Sequence, residues 1–193
     1  AIYYIDKRDF EKAAFYAKDI ESMKLSCCGD NRTLIWLKMH YVTYYLEIGN
    51  FDKARQTLDY IKTHKQKNVP QADITTLELR YFTFRDLTKG LRFFKAKWKV
   101  LLDEEENTPL DLLYNNIRCA AFFAKLEAAR TRKTVKIEFD RTFPLYREDN
   151  SYKIADLYDF FYNNAKKLAD RFDKSNETDF FNSDLQTILN EEW

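Results

Sequence analysis

"YYLEIGNFDKARQTL", from Tyr44 to Leu58, poses a choice between one long helix with a flaw and two helices joined by a turn. Ahead of the glycine, Leu34, Leu37, Tyr41, Tyr44, Tyr45 and Ile48 recur at spacings of three and four, which lines one face of a helix. Gly49 reaches left-handed backbone angles without a side-chain clash and therefore ends helices well. Asn50 is a strong N-cap. Behind it, Phe51, Ala54, Leu58 and Ile61 restart the helical spacing. The stretch reads as helix, tight turn, helix.

The same arrangement appears twice more. Tyr45 precedes Ala54 by nine residues, Tyr4 precedes Ala13 by nine, and Tyr81 precedes Gly90 by nine. Between them lie Gly49-Asn50-Phe51, Arg8-Asp9-Phe10 and Arg85-Asp86-Leu87. Each copy has a Tyr near a helix end, an Asp or Asn cap, a Phe or Leu after the cap, and a small residue one turn into the next helix. The small residue lets the second helix approach the first, and the cap satisfies amides left unpaired at a helix start. The copies are 41 and 36 residues apart, a period that marks a stacked helical array.

Composition agrees. The 193 residues are 45% hydrophobic and 33% charged, as in a globular protein with a core. Three glycines and three prolines leave little for the turns of an all-β fold. Aromatic residues, at 17%, supply bulk for packing between helices. A net charge of +1 argues against general nucleic-acid binding, which needs many unopposed cations. No apolar run approaches the ~20 residues of a membrane span.

The residues "YYLEIGNFDKARQTLDYI" resemble a tetratricopeptide repeat, a helix-turn-helix unit of about 34 residues. "YYIDKRDFEKAAFYAKDI" looks like the end of one repeat, and "RYFTFRDLTKGLRFFKAKW" is similar but degenerate, with Arg85 in the place of Gly49 and Gly90 in the place of Ala54. The resemblance covers residues 1 to about 105. The copies depart from the family in repeat length and lack its closing proline, although Pro70 and Pro109 fall between helix pairs. The expected fold is all-α: a right-handed solenoid of antiparallel hairpins with roughly nine or ten helices. Residues 1–105 form recognisable repeats and 106–193 form diverged or capping helices of a single domain. The opening Ala-Ile-Tyr-Tyr, with no Met and half a repeat, is expected to begin a piece of a longer protein.

Beyond Pro109, "LDLLYNNIRCAAFFAKLEAAR" and "NSYKIADLYDFFYNNAKKLADRF" read as helices, the second with Ile154, Leu157, Phe161, Ala165 and Leu168 on one face. "DFFNSDLQTILNEEW" reads as a last helix capped by Thr178 or Asp179. "VKIEF" alternates like a strand but has no evident partner, so "RKTVKIEFDRTFPLYRE" reads as a helix interrupted near Pro144.

Catalytic constellations are not legible. Asp103-Glu104-Glu105-Glu106 reads as a solvated helix end. His40 and His64 complete no ligand set, adjacent Cys27-Cys28 has poor metal spacing, and Cys27, Cys28 and Cys119 make no disulfide framework. No glycine-rich phosphate loop occurs. No metal, cofactor or enzymatic activity is therefore expected. Arg130, Arg132, Lys133 and Lys136, near Phe139 and Phe143, form the densest basic segment. It suits nucleic acid or an acidic peptide, but Glu138, Asp140 and Glu148 interrupt it, and a solvated face is the stronger reading.

The resemblance implies a concave face that holds a peptide. Its candidates are Trp36, Met39, His40, Thr43 and Glu47 in one repeat, and Ala72, Thr75, Leu79, Phe82 and Thr83 in the next. Asn115 and Asn116 would extend it, since an amide can clamp a peptide backbone by donating and accepting. The competing assignment puts Trp36 and Phe82 in the core and the asparagines on plain surface. The family's carboxylate clamp is unmatched, because Met39 and Thr43 stand where its first Lys and Asn would be. The expected function is a non-catalytic protein- or peptide-binding module, the sensing or scaffolding part of a bacterial signalling or transcriptional regulator. The alternative is a structural domain that associates with itself as a homodimer. Neither nucleic acid nor membrane is an expected partner. The expected compartment is the cytoplasm, or the periplasm if the full-length protein carries a signal peptide.

Overall fold

A computed structural model describes residues 32–64, 69–131 and 133–190, with residues 3, 12, 13 and 15. The described chain is mostly helical: α1 (Arg32–Glu47), α2 (Phe51–His64), α3 (Gln71–Arg85), α4 (Leu87–Leu102), α5 (Pro109–Ala129), α6 (Ile154–Asn176) and α7 (Phe180–Leu189). Strands β1 (Thr134–Lys136) and β2 (Ser151–Lys153) separate α5 from α6. The chain divides within α3 into two compact units, with Tyr81 in the first and Phe82 in the second. Of the first repeat copy only Tyr3, Lys12, Ala13 and Phe15 are described, and of these Ala13 is buried.

In the first unit, the Gly49 turn closes the α1–α2 hairpin as the residues require. Gly49 has φ +69°. Its amide donates to the Leu46 carbonyl at 3.1 Å, and the Asn50 amide donates to Tyr45 at 2.8 Å, the paired bonds of a Schellman end. Asn50 then starts α2, its Oδ1 accepting from the Lys53 amide at 3.2 Å. One residue thus finishes one helix and opens the next. Ile35, Met39, Val42 and Leu46 pack with Ala54, Leu58 and Ile61, and Val69 and Ile74 extend this core. Glu78 on α3, though buried, receives Lys62 Nζ at 2.8 Å and an Arg55 guanidinium nitrogen at 3.2 Å from α2.

The second unit repeats the cap. Asp86 Oδ1 accepts from the Lys89 amide at 2.9 Å, and the Gly90 amide donates to the Asp86 carbonyl at 2.8 Å. Gly90 is needed for space. A Cβ there would meet Phe122 Cε2 at 2.7 Å and Phe82 Cβ at 3.1 Å. Thr108 and Asp111 form a capping box with Pro109 in the first turn of α5. α5 packs along α6, and α7 lies against both. Leu113, Ile117, Ala165, Ala169, Leu185 and Ile188 fill the space between them.

The interrupted helix expected around Pro144 is replaced by a small antiparallel sheet within described residues that are otherwise mostly helical. Val135 pairs with Tyr152, and Thr134 and Lys136 pair with Lys153 and Ser151. The alternation was real: Val135, Ile137 and Phe139 are buried while Lys136 and Glu138 are exposed. Its partner is the Ser-Tyr-Lys that seemed to open α6. Phe139 and Phe143 anchor the connection on α4, their rings 5.0 and 5.5 Å from Trp98. Phe94 continues this cluster to Phe123 at 5.0 Å and Phe161 at 5.8 Å. Each such pair adds about 0.5–1.5 kcal/mol beyond area burial.

Candidate functional site

The expected groove residues fall into different environments. Met39 and Leu79 are buried, at 6% and 0% exposure, and Ala72, Thr75 and Thr83 are buried as well. Asn115 and Asn116, at 2% and 5%, lie inside the second unit. Asn115 Nδ2 donates to the Leu101 carbonyl at 3.0 Å and to Asn107 Oδ1 at 3.3 Å. Asn107 Nδ2 donates to Val100 and Asp103 carbonyls at 3.1 and 2.7 Å. The amides therefore clamp a backbone, the chain's own, at the C-terminus of α4. Asn116 Nδ2 reaches back one turn to Leu112. Trp36, His40, Thr43 and Glu47 remain half-exposed on α1, spaced by four, three and four residues along one side. Trp36 also packs on the core, and Glu47 lies 3.6 Å from the buried Arg80 guanidinium. Phe82 is half-buried against Phe93.

Among the other candidates, the run Asp103–Glu106 is exposed beyond α4, and Asp103 Oδ1 accepts from the Glu105 and Glu106 amides. Cys119 is fully buried, and burial pushes its thiol far above the ordinary value, which makes it unreactive. Cys27 and Cys28 lie outside the described residues. Among the described residues no group of three His, Cys, Asp or Glu could hold a metal ion, and no helix is long and apolar enough to cross a membrane.

Two residues of the basic segment line a cleft together with a second element. Lys133 turns back to the Glu127 carbonyl at the end of α5. Arg132 lies outside the described residues. Arg130 and Lys136 instead share a surface cleft of about 360 Å³ with Thr88, Leu91, Arg92 and Lys95 of α4, and with Thr134, Val135 and Ser151. Arg92 and Lys95 are three residues apart, so they project from one face of α4. The opposite face buries Phe94, Trp98 and Leu101, while Leu91, also buried, floors the cleft edge. None of Arg92, Lys95, Arg130 and Lys136 is held in an ion pair among the described residues. The next cation on this stripe, Lys99, is taken up by Asp140 at 2.8 Å. The Lys99 and Thr142 side chains hold the Asp140 carboxyl below its ordinary value. A neighbouring cleft of about 420 Å³ shares Lys95 and Lys136 but adds Glu138, Asp149 and Asn150.

Two of the four cations, Arg130 and Lys136, belong to the densest basic segment of the sequence. The i, i+3 spacing of Arg92 and Lys95 was a legible signal, but nothing in the linear pattern joined it to residues some 40 positions later. No protein-family model matches this chain, and neither a curated protein nor a solved structure shows significant similarity to it.

Proposed function

We propose that this chain is a non-catalytic protein- or peptide-binding module, built as a TPR-like right-handed helical array. Its place would be the sensing or scaffolding part of a bacterial signalling or regulatory protein. The observation that carries this reading is the recurrence of one cap geometry. Asn50, Lys53 and Ala54 make the same pair of bonds as Asp86, Lys89 and Gly90. Helical hairpins built to one rule suit stacking into a surface that holds an extended ligand. The α1 side bearing Trp36, His40, Thr43 and Glu47 keeps four residues of the expected groove half-exposed. An aromatic ring flanked by polar groups suits a peptide anchor.

Selection of displayed random peptides on the full chain tests this. The reading expects an enriched consensus whose peptides lose roughly tenfold in affinity on His40→Ala with Thr43→Ala. Failure to enrich any peptide, or binding indifferent to every α1 substitution, contradicts it.

A further inference from the structure

We propose that the cleft between α4 and the β1–β2 hairpin receives a phosphorylated peptide side chain. This site is separate from the α1 surface and stands without the array reading. Four cations from three elements converge on about 360 Å³: Arg92 and Lys95 from α4, Arg130 from the end of α5, and Lys136 from β1. Such a concentration of like charge in a chain of net charge +1 makes a local positive potential that attracts an anion. Two guanidinium forks suit the oxygens of a phosphoryl dianion, and the lysines add point charges. The Thr88 and Ser151 hydroxyls supply further donors.

The adjoining cleft selects a peptide over a nucleic acid. Past Lys95 and Lys136 the lining turns acidic at Glu138 and Asp149. A polynucleotide would carry its next phosphates onto those carboxylates. A peptide can follow its phosphorylated residue with a Lys or Arg, which those carboxylates attract. No aromatic ring lines either cleft, so there is no stacking platform for bases.

The test is fluorescence anisotropy on the full chain with four probes. These are a labelled heptapeptide with a central phosphoserine and a lysine three residues on, its unmodified serine twin, inorganic phosphate as competitor, and a dT20 oligonucleotide. The phosphoserine peptide is expected to bind roughly tenfold or more tighter than its twin. Arg92→Glu with Lys95→Glu should abolish that preference. Lys167→Glu with Lys174→Glu, exposed cations elsewhere on α6, should shift affinity by no more than about twofold for the same change in net charge. If the reversed pair melts without cooperativity, Arg92→Gln with Lys95→Gln gives the same readout. Equal binding of the twin peptides, tighter binding of dT20, competition by inorganic phosphate mole for mole with the peptide, or a preference untouched by both cleft variants would each overturn the proposal.

Discussion

The Gly49 turn and the Asp86 turn do one job with glycine in two different roles. At Gly49 the backbone needs a left-handed angle, φ +69°, and the space around an added Cβ is open. At Gly90 the backbone is ordinary helix, and the space is occupied by Phe122 and Phe82. The first glycine is a conformational device and the second a spatial one. The helices also end differently. α1 finishes on the Gly49 backbone, whereas α4 has asparagine side chains, Asn107 and Asn115, take its last carbonyls. A residue type therefore does not identify its role until the local geometry is known.

Substitutions can break the comparison, and the largest effect is expected at Gly90. Gly90→Asn should destabilise by about 3 kcal/mol, since overpacking a tight contact costs about 1–3 kcal/mol or more. Gly90→Ala should lose less, because Ala gains ~1 kcal/mol over Gly inside a helix. Urea midpoints give both values, and an unchanged Gly90→Asn would mean the contact with Phe122 yields freely. Next comes Asn115→Ala, expected to cost about 2 kcal/mol by leaving the Leu101 carbonyl and Asn107 Oδ1 without their donor. A cost below ~0.5 kcal/mol would show that water replaces the amide.

Gly49→Ala should follow at about 1 kcal/mol, from the left-handed backbone alone. Gly49→Asn should cost less, because Asn tolerates that region. The order Ala before Asn at Gly90 and Asn before Ala at Gly49 is the signature of the two roles. The smallest effect concerns acid. The Lys89 amide holds the Asp86 carboxyl below its ordinary value of 3.8. The stability it contributes is present above that value and is lost as pH falls through the lower folded one. Asp86→Asn should flatten this part of the acid limb, while Asn50, with nothing to titrate, contributes no such slope. Acid titrations of Asp86→Asn and the parent that superimpose below pH 4 would contradict the cap's role.

Features carried by neighbours in sequence were legible, and those carried by neighbours in space were not. The α1–α2 hairpin, the Asp86 cap and the start of α5 rest on residues within four positions of one another. The last helix shows the limit. Thr178 Oγ1 does accept from the Phe180 amide, but the main cap is Asp173 of α6, which takes the Phe181 and Asn182 amides at 2.9 and 3.0 Å. Burial works to raise the Asp173 carboxyl, and those amides with the Asn182 side chain outweigh it and hold it low. β1 shows its alternation in the sequence but reads there as part of an interrupted helix, because its three-residue partner is too short to carry a period. Asn115 read as a surface clamp because nothing local shows that its amide faces the end of α4. The cleft was half visible for the same reason, with Arg130 and Lys136 in one segment and Arg92 and Lys95 in another.

The most direct test of the claim that Gly90 is a spatial device is a double-mutant cycle. Gly90→Ala, Phe122→Leu and the double substitution are compared in urea with Gly49→Ala, Phe122→Leu and their double. The account predicts that shrinking the ring recovers at least about half of any clash at Gly90, with coupling of about 1 kcal/mol, while Gly49→Ala and Phe122→Leu simply add. Additive costs at Gly90, or equal coupling at Gly49, would contradict it.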